Sequence, residues 1–138
     1  MKKEMNILFV CRYNRFRSRI AKEYFDKINK NKNIKTKSVG LIKGNPLNKN
    51  TVNFVKKKFN LDIRGKTNGL TSLVMAWQNI TVIVANDVSP QAFNKNKRYG
   101  KKVIVWRIKD SKGKNDKEKE GVIKEIIKRI NTLVKQLK

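Results

Sequence analysis

Short apolar blocks alternate along this chain with stretches in which apolar residues recur every three or four positions. Residues 6–10 form a compact apolar block, residues 34–39 a second block ending at Gly40, and residues 80–85 and 103–108 two runs rich in Val and Ile. Each has the length and β-branched content of a strand. Between them, Ile20, Ala21, Tyr24, Phe25 and Ile28 recur at helical spacing over residues 17–29, with charged residues on the opposite face. Val52, Phe54, Val55 and Phe59 mark a second helix, which Asn50 or Thr51 is placed to cap. Residues 70–77 read as a short helix, and Pro90 opens another after Ser89, since proline suits a first helical turn. The broadest apolar stripe runs from Val122 to Leu137, in a helix over 118–137.

Strand, helix, strand, helix, helix, strand, helix, strand, helix is the order of a four-stranded parallel sheet covered on both faces. The expectation is a single α/β domain over residues 1–138, a three-layer sandwich. Residues 109–119 hold charged residues and Gly113 without an apolar anchor, which predicts a mobile loop before the last helix. In such sheets ligands bind beyond the carboxyl ends of the strands. Cys11 ends the first strand, Asp87 follows the third and Asp110 the fourth, so all three are expected on one rim. Asp87 is otherwise suited to cap the turn before Pro90, and Trp77 and Trp106 are assigned to the core.

Composition narrows the chemistry. The 138 residues contain one cysteine and no histidine. That excludes an internal disulfide framework, His-based triads and the usual zinc sites, and neither metal nor cofactor is expected. The apolar block near the start is too short for a signal-peptide core, and no run is long enough to span a bilayer. A soluble, cytoplasmic protein without a membrane partner is expected. With 35 basic and 10 acidic residues, the net charge is +25. The lysines are scattered and Asn is also abundant, as AT-rich coding produces. Non-specific polyanion binding, or steering of phosphorylated substrates, follows from the same field.

The arginines are not scattered. Of eight, Arg12, Arg15, Arg17 and Arg19 fall within eight residues. A guanidinium presents a planar fork of donors that matches phosphate oxygens in pairs. The segment is Cys11-Arg12-Tyr13-Asn14-Arg15-Phe16-Arg17-Ser18, between a strand and a helix. Five residues between Cys11 and Arg17 can wrap backbone N–H groups around a tetrahedral oxyanion, and the helix N-terminus adds its dipole. The same field favours a thiolate without a histidine. Arg17 can then bind phosphate oxygens through the transition state, and Ser18 can donate to the Cys11 sulfur as it leaves. Arg12, Tyr13, Asn14, Arg15, Phe16 and Ser18 are the candidate substrate-contacting residues of the loop.

Ile7-Leu8-Phe9-Val10-Cys11, Asn14, Arg17-Ser18 and Ala21 resemble the low-molecular-weight protein tyrosine phosphatases. Ser38-Val39-Gly40, Gly44-Asn45-Pro46, Val82-Ile83-Val84 with Asp87, and Ile108-Lys109-Asp110 extend the resemblance over most of the chain. The resemblance implies a hydrolase acting through a phosphocysteine on Cys11, on a phosphorylated protein or a small phosphate ester. Arg17 would hold the phosphoryl group, and Asp110 would serve as general acid and then base. Asn14, Ser18 and Ser38 would support the loop, Asn14 in an unusual backbone conformation. Tyr13 stands where the family usually has Gly, Phe16 where it has a second Cys, Arg19 where it has Pro, and Ser111 where Pro follows the aspartate. The aromatic residues expected beyond Asp110 are absent, which leaves phosphotyrosine, phosphoarginine and small esters open as substrates. Two other functions fit parts of the pattern: an arsenate reductase relying on an external thiol, and a catalytically weak polyanion or nucleic-acid binder on the same fold.

Overall fold

The computed structural model describes residues 4–93, 101–111 and 115–137. Its strands are β1 (Met5–Cys11), β2 (Ile34–Gly40), β3 (Ile80–Val84) and β4 (Lys102–Trp106). Its helices are α1 (Arg17–Ile28), α2 (Lys49–Phe59), α3 (Ser72–Trp77) and α4 (Asp116–Gln136), with a 3₁₀ turn at Pro90–Phe93. The strands form one parallel sheet in the order β2-β1-β3-β4. β1 and β3 are central, and every residue of β3 is buried, which is why their sequences are near-continuous apolar runs.

The two faces divide by alternation along the strands. Ile7 and Phe9 of β1, with Val82 and Val84 of β3, pack against α1, α2 and α4 through residues such as Phe25, Val55, Ile123 and Ile126. Leu8, Val10 and Ile83 face the other way, onto Val88, Phe93 and the partly buried Val74 and Met75 of α3. The expected three-layer sandwich is therefore the observed one. Among the described residues, no helix is long and apolar enough to cross a membrane.

Several element ends differ from the sequence expectation for local reasons. The cap of α2 is Asn48, not Asn50 or Thr51: its side chain accepts from both of their backbone N–H groups, at 2.8 and 3.4 Å. β4 spans 102–106 rather than 103–108, and β3 stops at Val84. α3 starts at Ser72, behind a Thr71 cap. α4 begins at Asp116, because Asn115 accepts from the Glu118 N–H at 2.7 Å and Asp116 and Glu118 supply acid to the first turn. Residues 116–119 are thus helix rather than loop, and 112–114 lie outside the described residues. Trp106 is buried. Trp77 is only partly so, with the Lys37 ammonium 4.6 Å from its ring centroid.

Candidate active site

Parallel pairing in this register sets Cys11 opposite Gly40 and Val84 opposite Trp106. The segments after all four strands therefore leave from one edge of the sheet. Three backbone bonds fasten the segment after β2 alongside the Cys11 loop: Leu41 N–H to Cys11 O, Ile42 N–H to Arg12 O and Gly44 N–H to Tyr13 O, at 2.8, 3.1 and 3.1 Å. The approach leaves no room for a side chain at Gly40. A Cβ there would lie 2.4 Å from Ile42 O and 2.7 Å from Asn14 N.

Cys11 is buried, with Sγ 3.0 Å from Ser18 Oγ. Ser18 Oγ accepts an N–H from Asn14 Nδ2 at 2.9 Å, so the serine's own hydrogen is available to the sulfur. Asn14 is fully buried and has φ 58°, a left-handed conformation that Asn tolerates better than most residues. Its side chain also donates to Ser38 Oγ at 3.1 Å and accepts from the Asn68 N–H at 2.9 Å. The Asn14–Ser18–Ser38 cluster lies beneath the loop.

Arg17 opens α1, and its side chain is 4% exposed. One terminal nitrogen donates to Ile108 O at 2.9 Å, and the other pairs with Asp87 Oδ1, also at 2.9 Å. The guanidinium is thus oriented from two strand ends. Arg19 donates through Nε to Asn14 O at 2.7 Å and to Ile63 O at 3.1 Å. It also reaches the carbonyls of Gly65 and Lys66. Burial lowers its pKa, while the charges of Cys11 and Glu23 act in the opposite sense.

A cleft of about 400 Å³ opens over this loop. Cys11, Tyr13, Arg15, Phe16 and Arg17 of the loop line it. Asn48 and Thr51 of the α2 start, Asp110 and Ser111 after β4, and Lys119 of α4 complete it. Cys11, Arg17 and Asp110 are therefore brought together. Arg12 is not among the lining residues: it donates to Tyr13 Oη and to Asp87 O, both at 3.1 Å, and the Tyr13 contact raises its pKa. Arg15 lines the cleft while donating to Pro46 O at 3.0 Å. Asp87 is not a cap for the Pro90 turn. There Ser89 Oγ accepts from the Gln91 N–H, and the Asp87 carboxylate goes to Arg17.

Similar architectures exist among solved structures. A low-molecular-weight protein tyrosine phosphatase from T. tengcongensis superposes with a TM-score of 0.78 at 20% identity, over 96% of this chain and 99% of that one. The YwlE arginine phosphatase of Geobacillus stearothermophilus gives 0.80 at 19% identity, over 96% and 92%. This is the low-molecular-weight protein tyrosine phosphatase fold. Arsenate reductases are built the same way: that of Archaeoglobus fulgidus gives 0.73 at 24% identity, over 93% and 98%. No protein-family model and no curated protein sequence matches the chain.

On the phosphatase fold, the residues missed in the sequence are those that reach the site from elsewhere. Asp87 as the Arg17 partner, Asn68 as a donor to Asn14, and Asn48, Thr51 and Lys119 as cleft wall have no local motif. Only Asp87 carried a signal, through its place after a strand end.

Proposed function

We propose that the chain is a phosphatase that hydrolyses phosphate monoesters through a phosphocysteine at Cys11. The observation that carries the proposal is the Cys11 Sγ to Ser18 Oγ contact of 3.0 Å in a cleft also lined by Arg17 and Asp110. In the first step the Cys11 thiolate attacks phosphorus and the ester P–O bond breaks. Asp110 protonates the departing oxygen. In the second step water attacks the phosphocysteine, Asp110 takes its proton, and the P–S bond breaks. The hydrogen of Ser18 stabilises the sulfur as it regains negative charge. Arg17 is the phosphoryl ligand, held by Asp87 and Ile108 O so that its fork is oriented before substrate arrives.

Phosphotyrosine is the substrate class suggested by the tyrosine phosphatases of this fold, and phosphoarginine the one suggested by the arginine phosphatases. Arsenate reduction on the same scaffold is less well supported. Resetting an arseno-cysteine requires further thiols, and Cys11 is the only cysteine in the chain. The test is hydrolysis of para-nitrophenyl phosphate in EDTA. Wild type should turn over and Cys11→Ser should not; equal rates for the two would end the proposal. Asp110→Asn should slow turnover and flatten the pH profile, and an unchanged profile would assign the acid to another group.

A further inference from the structure

The cleft beside Cys11 carries more positive charge than one phosphoryl group requires. Among the described residues, Arg15, Arg17 and Lys119 line it, against the single carboxylate of Asp110. Arg17 already has the phosphoryl role and a carboxylate partner in Asp87. Lys119 has no part in that chemistry, yet its side chain is 8% exposed. A lysine whose stem is packed away at the edge of a cleft holds its ammonium there, where an anion is favoured beside it. The anion nearest to it is Asp116, one turn earlier, 3.9 Å away and 69% exposed. That distance is too long for a hydrogen bond, and an ammonium has three donors.

The position of Lys119 indicates which part of a substrate it would meet. The loop and Arg17 form the phosphoryl end of the cleft. Asp110, the proposed donor to the leaving oxygen, lines the same cleft from the segment after β4, and Lys119 lines it from the first turn of α4. Arg15 lines the same cleft with one N–H engaged by Pro46 O, and a guanidinium has five. We infer that the substrate carries a second anionic group, a carboxylate or another phosphate, on its leaving-group side, bound by Lys119 together with Arg15. The inference rests on the phosphatase reading of the same cleft. It adds a charge preference to that reading: leaving groups bearing an anion are favoured, and those bearing a cation are disfavoured.

The experiment compares kcat/KM for phenyl phosphate, 3- and 4-carboxyphenyl phosphate, and 3- and 4-(aminomethyl)phenyl phosphate at constant ionic strength. At least one carboxylate isomer should exceed its aminomethyl counterpart by about tenfold or more, as expected for a hydrogen bond to a charged group. The bisphosphate of resorcinol, run in parallel, distinguishes a carboxylate from a second phosphate. Lys119→Met, which keeps the aliphatic stem, should bring the ratio towards one, and Lys119→Arg should retain it. A wild-type ratio within twofold for both isomers, with phenyl phosphate turned over, overturns the inference and leaves the phosphatase reading standing. So does a ratio that survives in Lys119→Met. Absence of turnover with every ester removes both. The wild-type ratio decides the charge preference even if Lys119→Met fails to fold; Lys119→Gln then provides the second variant.

Discussion

Asn14 joins the backbone shape of the loop to its support, and its replacement separates the two contributions. In Asn14→Ala, three side-chain hydrogen bonds of 2.9, 3.1 and 2.9 Å are lost. At about 1 kcal/mol net for each bond, this amounts to about 3 kcal/mol. Alanine at φ 58° adds up to about 1–2 kcal/mol, because it keeps the Cβ that crowds the carbonyl in the left-handed region but lacks the polar side chain that lets Asn adopt it. The expected destabilisation is about 4–5 kcal/mol, a large part of a typical domain's 5–15 kcal/mol or so. Asn14→Gly loses the same bonds without the left-handed strain. It costs about 0.5–1 kcal/mol through the added freedom of the unfolded chain. The glycine variant should therefore be the more stable of the two by about 0.5–1 kcal/mol. Equilibrium urea unfolding provides the assay. At a slope of about 2 kcal/mol per molar, Asn14→Ala should lower the midpoint by about 2 M. Both variants should also lose more than tenfold in kcat/KM on para-nitrophenyl phosphate, because Ser18 loses the donor that orients its hydroxyl. An alanine variant as stable as the glycine one, or either variant within about 1 kcal/mol of wild type, would refute the reasoning.

The two glycines Gly40 and Gly121 should respond to alanine with opposite signs. At Gly40 the added Cβ meets backbone atoms at 2.4–2.7 Å, so unfolding should show a loss of about 1–3 kcal/mol or more, with reduced turnover. At Gly121 in α4 nothing lies within 4 Å of the added Cβ, so Gly121→Ala should gain about 0.5–1 kcal/mol from helix propensity. Asp87→Ala removes the counter-charge of a nearly buried guanidinium and should weaken vanadate inhibition about tenfold or more. Asp87→Asn keeps an acceptor and should lose less, so equal losses would argue against an orienting role. On the surface, hydrogen bonds from Arg64 hold the Asp62 carboxyl down at about 2. NMR titration should find it there, and Arg64→Ala should return it towards the ordinary carboxylate range. Because the folded value is the lower one, the pair's contribution to stability is present above the ordinary range and lost as pH falls through about 2. The pair is exposed, so that contribution is small.

Local patterns in the sequence determined which elements exist and where the chemistry is concentrated. The apolar runs of β1 and β3 and the period of α1 and α4 reflect burial on two faces and on one stripe respectively. The Cys11–Ser18 loop is legible because it lies within one strand–turn–helix unit, so spacing alone sets its geometry. Asp110 and Ser38 were reachable through resemblance and place in the element order. The cap of α2 is not legible locally: Asn48, Asn50 and Thr51 are all competent caps, and only the path of the chain into α2 selects Asn48. Tertiary structure alone decided the rest. The pairing of Asp87 with Arg17, of Asn68 with Asn14, and the position of Lys119 on the cleft wall depend on strand register and helix packing. These join residues 54 to 70 positions apart in the first two cases. The cysteine is placed by its own neighbours in sequence, whereas the charges around it are placed by the sheet.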